Sequence, residues 1–265
     1  MNSRVTLLLT AIRAALKASV DILKIYNSAF AVEMKEDKSP LTAADKASHT
    51  IISKELEASG IPILSEEGQF ISYHTRNEWS QFWMVDPLDG TKEFIRRNGE
   101  FTINIAFMEQ NLPTMGVIHI PVKDVLYASD GASLFRIENA STQNITVNTL
   151  QNFHIHPTLQ KVNAETVRVL ASRSHMSVET SDFVKSLEKQ YSGIELVSAG
   201  SALKFCLLAE GNADVYPRFA PTMEWDTAAG HALLKSVGRN ILLVTSGLEM
   251  TYNKPSLVND WFIAK

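Results

Sequence analysis

Cysteine is almost absent. Cys206 is the one thiol in 265 residues, so no internal disulfide can form, and the chain is expected in a reducing cytoplasm. The surrounding segment 202–208 is apolar, which makes Cys206 a small core residue rather than a nucleophile. Long apolar runs are missing as well. Residues 5–9 are apolar but soon interrupted by Arg13 and Lys17, nothing approaches the ~18–20 residues of a membrane span, and the N-terminus lacks a secretory pattern. Charge of one sign is scarce. The formal net charge of −4 gives no general surface for a nucleic-acid polymer, so an anionic ligand needs local cations or a metal. No repeat or low-complexity linker divides the chain.

What is present is an ordinary globular composition, 45% hydrophobic, in a chain long enough for one large domain or two closely packed halves. Apolar spacing predicts an amphipathic helix over residues 3–29, through Leu8, Ile12, Leu16, Leu23 and Tyr26, and a second helix over 42–58. Short strands are expected at 61–65 and 82–85. Period-two alternation marks 101–107, and 116–120 with 125–128 reads as a hairpin. This front half is α+β. From residue 167 the pattern alternates: strand 167–171, helix 178–188, strand 195–198, helix 202–209, strand 214–216, helix 227–236. The polar stretch 139–148 reads as a loop-bearing boundary region, with the division itself near residue 155, giving halves 1–155 and 156–265.

The densest chemistry lies at Asp86-Pro87-Leu88-Asp89-Gly90-Thr91. Pro87 cannot extend a ladder, so the preceding strand is expected to end at Asp86, leaving two carboxylates on one tight turn. Gly90 permits close backbone approach, and Thr91 is placed to cap a following helix whose free amides face any phosphate. Hard oxygen ligands at this spacing suit Mg²⁺. Taken alone, Asp-Pro and Asp-Gly are ordinary turn dipeptides.

Other acids repeat the theme. Glu66-Glu67 follows a short apolar run, either as a solvated turn or, if the two strands are neighbours, as a second acidic edge of one crevice. Asp226 opens a helix and is either a plain helix-start acid or a site residue. Asp45, in Thr42-Ala43-Ala44-Asp45, has the spacing of a capping box. Several other polar residues read as bland: His154 and His156 as an exposed loop rather than a zinc site, His231 as a packed core histidine, and Arg96 and Arg97 as a solvated helix face.

In order and spacing, Thr42 to Asp45, Glu66-Glu67, Asp86 to Thr91 and Trp225-Asp226 resemble the motifs of the Mg²⁺-dependent, lithium-sensitive inositol monophosphatase superfamily. The residues following Gly90, namely 91–95 and 97–102, together with 200–206 and 216–219, resemble its bacterial CysQ-type 3'(2'),5'-bisphosphate nucleotidase branch. Inositol monophosphatases usually carry a second Thr and an Asn where this chain has Lys92 and Glu93.

The resemblance implies a layered αβαβα sandwich, α/β in class with an α+β front half, and an active site between the halves holding two or three Mg²⁺. It assigns Glu66, Asp86, Asp89 and the Leu88 carbonyl to the first metals, and Asp226 beside Asp86 and Asp89 to the second. Asp45, Thr91 and Glu67 orient the attacking water. Gly90, with Glu66, Leu88, Asp89, Thr91 and Asp226, falls on the phosphate side. His175, Ser201, Lys204 and Arg218 are assigned to the 5'-phosphate and nucleoside, although each alone also reads as a loop, a cap, a solvated lysine or a surface arginine.

The implied reaction is hydrolysis of adenosine 3',5'-bisphosphate to AMP and phosphate, extending to 3'-phosphoadenylyl sulfate and clearing a byproduct of sulfate activation. Alternatives are an inositol or sugar phosphatase on the same metal core and a noncatalytic bisphosphate-nucleotide sensor. All five expected carboxylates are present, which disfavours the sensor. The resemblance also leaves open peripheral attachment to the cytoplasmic face of a bacterial inner membrane.

Overall fold

The computed structural model describes residues 4–29, 31–34, 40–157, 165–171 and 176–265. Helix α1 (Arg4–Tyr26) buries a stripe through Leu8, Ile12, Ala15 and Ile22. A short antiparallel pair, β1 (Val32–Met34) with β2 (Pro40–Thr42), leads into α2 (Ala43–Glu57). Both helices match the apolar spacing of their sequences.

A seven-stranded sheet follows, with β3 (Ile63–Ser65), then α3 (Tyr73–Arg76), β4 (Gln81–Asp89), α4 (Thr91–Arg96), β5 (Thr102–Glu109), β6 (Leu112–Ile120), β7 (Val125–Ser129), β8 (Leu134–Glu138) and β9 (His154–Ile155). Its strands lie side by side in sequence order. The β6–β7 hairpin pairs as the sequence predicts. In this sheet only β3 and β4 run parallel, with Ser65 opposite Val85, so Glu66 and Asp86 lie side by side at the same end.

Both faces of this sheet are covered. Along β4, Trp83 and Val85 pack with the α1–α2 layer, while Phe82 and Met84 pack on the opposite side. The alternation in these strands therefore separates two apolar cores, not core from solvent.

The second core is built on α6 (Leu203–Ala209) and α7 (Glu224–Ser236), which follow β10 (Thr166–Leu170), α5 (Val178–Leu187) and β11 (Gly193–Val197). The outer face of α6 and α7 meets Tyr216, Ile241 and Phe262. These belong to β12 (Tyr216–Arg218), β13 (Ile241–Leu243) and β14 (Phe262–Ala264), a sheet ordered β12–β14–β13. Phe183 and Val184 of α5 cover Val167, Val169 and Val215 beyond it. The layers run αβαβα.

Close packing of α7 depends on missing side chains. A Cβ on Gly116 of β6 meets the Ala229 carbonyl at 2.4 Å, and one on Gly230 meets the Phe205 ring at 2.3 Å. The run of small residues after Asp226 is thus the face that lets this helix sit between the sheet and α6, which brings Asp226 to the sheet end.

Two expectations are corrected. β4 does not stop at Asp86 but continues through Pro87 to Asp89, because a register shift between Asp86 and Asp89 absorbs the missing amide and Asp89 again pairs with Thr102. The strand expected at 214–216 lies two residues later, at β12, although Val215 still bridges Val169.

Candidate active site

Three elements end at one crevice. The end of β3 supplies Glu66 and Glu67, the bulged end of β4 supplies Asp86 and Asp89, and the first turn of α7 supplies Asp226. Asp86 is 1% exposed, with its Oδ1 accepting from the Leu88 amide at 3.0 Å. Burial first, and then Glu66, Asp89 and Asp226, push its carboxyl well above the ordinary range. Burial likewise raises Asp89 to about 6, against the pull of Lys204 and with a further push from Glu66. Asp226 is raised to about 8 by burial and by Asp89, while its Oδ2 accepts from the Met223 amide at 2.8 Å. Asp226 braces the helix start and also faces the acidic cluster.

Like charges crowded in this way call for a cation. Among the described residues no three acidic or histidine side chains form a closed ligand cage. The fit therefore rests on the donor set, which is all oxygen, and on the mutual repulsion of these buried acids. Both suit a hard divalent ion.

Asp45 joins from the other side. It is 2% exposed; the Thr42 amide and hydroxyl donate to its Oδ2 at 2.8 and 2.6 Å, and the Thr91 hydroxyl donates to its Oδ1 at 3.1 Å. Desolvation raises its pKa above the ordinary value, with Glu67 adding to the rise. The capping box is real, and the same carboxylate also holds Thr91. This corrects the role expected of Thr91. It is the first residue of α4 rather than its cap, which is Gly90 at φ 90 with no side-chain cap, and its hydroxyl points to Asp45.

Gly90 also sets a close approach. Its missing Cβ would lie 2.1 Å from Ser201 Oγ, which donates to the Asp89 carbonyl at 2.8 Å. Beside it, a cavity of about 200 Å³ contains Asp89, Gly90, Asp226, Lys204 and Arg218. It shares Glu93, Ser201, Lys204, Tyr216 and Arg218 with a larger one of about 520 Å³. Lys204 and Arg218 thus stand between the acids and the larger cavity. They are not remote from the cluster, because Lys204 lowers the pKa of Asp89 and Arg218 that of Asp226.

His175 lies outside the described residues. Arg97 is not merely solvated: its guanidinium donates to the Tyr26 and Ser28 carbonyls, tying the end of α4 to the end of α1. Arg96 lines the larger cavity. His231 is fully buried between Tyr252 and Asn240, as expected. His154 belongs to the edge strand β9, half-buried, with its ring 4.1 Å from that of His156.

Two contributors escaped the sequence reading. Asn104 Nδ2 reaches Asp89 Oδ2 at 3.5 Å, and a buried Asn between Ile103 and Ile105 was its signal. Glu224, 0% exposed, accepts from the Asn253 and Lys254 amides at 2.5 and 3.1 Å and from Lys254 Nζ at 2.5 Å, which anchors the α7 start two residues ahead of Asp226.

Residues 4–261 match the model of the inositol monophosphatase family. The chain belongs to the inositol monophosphatase family. Within it, the chain is similar to the 3'(2'),5'-bisphosphate nucleotidase CysQ of Salmonella typhimurium, 42% identical over 224 residues and 83% of each chain. The protein of the same name from Buchnera aphidicola is 38% identical, across 92% of this chain and 87% of that one. The crystal structure of CysQ from Bacteroides thetaiotaomicron superposes with a TM-score of 0.86 at 42% identity, covering 97% and 96% of the two chains. A Thermotoga maritima IMPase, 23% identical with a TM-score of 0.70 over 96% of this chain and 89% of that one, shares the family fold.

Proposed function

We propose that the protein is a Mg²⁺-dependent 3'(2'),5'-bisphosphate nucleotidase that hydrolyses the 3'-phosphate of adenosine 3',5'-bisphosphate to give AMP and phosphate. The observation that carries the reading is the cluster of Asp86, Asp89 and Asp226, raised together by burial and mutual repulsion, of which Asp89 and Asp226 line the smaller of two adjoining cavities that share Lys204 and Arg218. The similarity to the CysQ nucleotidases supplies the substrate class.

Glu66, Asp86, Asp89, the Leu88 carbonyl and Asp226 are the residues to hold two or three Mg²⁺. When bound, such ions lower the pKa of a coordinated water and neutralise the nonbridging phosphoryl oxygens. Thr91 Oγ1, donating to Asp45, keeps its lone pairs to accept a proton from the attacking water as it passes its own to Asp45 Oδ1. The raised pKa of Asp45 improves it as that acceptor. Glu67 stands close enough to act on Asp45 and shares in orienting the water. No covalent phosphoenzyme is required, and Cys206 is fully buried.

The second phosphate falls to Ser201, Lys204 and Arg218, and to His175 by resemblance. Arg218 has donors to spare: Nε has no partner among the described residues, and Nη2 reaches only the Pro221 carbonyl, at 3.3 Å. Charge-assisted bonds of this kind select a phosphate strongly. The site then lies between an N-terminal half ending near residue 155 and a C-terminal half carrying Asp226. No helix among the described residues is long and apolar enough to cross a membrane, and a single thiol suits the cytoplasmic setting of this reading.

The test is parallel phosphate release from adenosine 3',5'-bisphosphate, 3'-phosphoadenylyl sulfate, inositol 1-phosphate and fructose 1,6-bisphosphate with Mg²⁺, repeated with Li⁺ or Ca²⁺ as expected inhibitors. The first substrate should give the highest kcat/KM. Faster turnover of inositol 1-phosphate would return the site to the broader phosphatases of the family, and tight nucleotide binding with no turnover would make it a sensor.

A further inference from the structure

Two aromatic rings line the larger cavity, and they are not equivalent. Tyr216 is 6% exposed, and its ring is already engaged: Lys204 Nζ lies 5.5 Å from its centroid, and Phe205 and Phe262 meet it edge-on at 5.5 and 5.7 Å. Phe219, just past the end of β12, keeps part of its surface accessible on the cavity wall. Two further rings fix it in place. Phe183 of α5 lies at 5.8 Å, and the indole of Trp261, just before β14, meets it edge-on at 5.7 Å and 76°.

Three separate segments of chain thus converge to hold one ring that is left partly open to a cavity. A ring serving only the core would be covered, as Phe205 and Phe262 are. Position within the cavities adds direction. Phe219 belongs to the larger cavity alone, whereas Lys204 and Arg218 line both and Asp89 and Asp226 line only the smaller. A ligand with one phosphate at the acids and a second at the two cations extends its remaining, uncharged part toward Phe219. A volume of about 520 Å³ accommodates a nucleoside.

We infer that Phe219 is the stacking platform for the nucleobase, and so a specificity-determining residue that favours nucleotides over inositol and sugar phosphates. The inference deepens the nucleotidase reading and rests on it. Every base has a π-face to lay on an aromatic ring, whereas an inositol or sugar ring has none. The bracing by Phe183 and Trp261 means that little ring motion is lost when the base arrives.

The test compares AMP with ribose 5-phosphate, which differ by the base, in calorimetric titrations of wild type and of Phe219→Ala, Phe219→Leu and Phe219→Trp, each first matched for melting temperature. Phe219→Ala should weaken AMP relative to ribose 5-phosphate by roughly 5- to 150-fold, the range of base–aromatic stacking. Phe219→Leu should keep most of that loss, and Phe219→Trp should restore the preference. The loss in turnover of adenosine 3',5'-bisphosphate should appear in KM rather than kcat.

Equal weakening of both ligands, an unchanged ratio, or full function of the leucine variant would each overturn the platform. A wild type that binds AMP no more tightly than ribose 5-phosphate would overturn it too. Failure of the reaction reading shows separately: such a protein prefers AMP through Phe219 but does not release phosphate from adenosine 3',5'-bisphosphate.

Discussion

Asp89 carries opposing demands in one side chain. Burial and Glu66 resist its charge, while Lys204, the Ala202 amide and Asn104 favour it. Replacing it with Asn removes a like charge from the cluster but also one of the proposed Mg²⁺ ligands. Asp89→Asn should therefore fold, melt no lower than wild type in chelator, and lose roughly 10³-fold or more in turnover, since metal stabilisation of the transition state is worth several kcal/mol. Wild-type turnover by a folded variant would remove the cluster from the reaction. The next residue fails for a different reason. Gly90 sits at φ 90, and an added Cβ lies 2.1 Å from Ser201 Oγ. Gly90→Ala should cost about 1–3 kcal/mol of stability in urea denaturation from backbone strain alone. It should also displace the Ser201 bond to the Asp89 carbonyl, so a variant of unchanged stability and rate would show that the turn tolerates a side chain.

At the scale of elements, β4 shows where sequence reading succeeds and where it stops. The run before Asp86 was legible as a strand, and its acidic end as a candidate site, because apolar residues and carboxylates separate so sharply along the chain. Its continuation past Pro87 was not legible, since that depends on the neighbouring β5 ladder resuming at Thr102. Helices α1 and α2 were readable from local periodicity, and β12 was misplaced by two residues because a strand of three residues has almost no periodicity to read. The acids themselves could be found one by one, but that Glu66, Asp86 and Asp226 face one another is a property of packing. The anchoring of α7 through Glu224 is of the same kind, joining residues 29 and 30 positions apart. Glu224→Ala leaves two backbone amides without their acceptor and takes the carboxylate partner from the Lys254 ammonium, so it should destabilise the protein by about 3 kcal/mol or more. Because Asp226 follows two residues later in the same first turn, the Mg²⁺ concentration for half-maximal thermal stabilisation should also rise. A variant that loses stability but keeps its Mg²⁺ response would make the anchor purely structural.

For the whole molecule, two sets of buried groups pull stability in opposite directions with pH. His119 and His231, both 0% exposed, are held down by burial to about 4, whereas an unfolded histidine titrates near 6.5. Between those values the unfolded chain binds more protons, so their contribution is present above about 6.5 and is lost as pH falls through about 4. The carboxylates behave oppositely. Asp89 and Asp226 keep their protons in the folded protein to about 6 and about 8, while unfolded aspartates release theirs near 4. Their contribution is full below about 4 and is lost as pH rises through 6 and 8. Above pH 6.5 only the acids still act, so in chelator the melting temperature should fall from pH 6.5 to 8. Magnesium favours the deprotonated acids, and its stabilising effect should therefore be larger at pH 8 than at pH 5. Thermal denaturation across this range, with chelator and with excess Mg²⁺, measures both slopes. Asp226→Asn should flatten the chelator curve above pH 6.5, since the carboxyl that burial and Asp89 raise to about 8 is gone. A metal-free protein that grows steadily more stable from pH 6.5 to 8 would contradict the crowding of charge on which the site is argued.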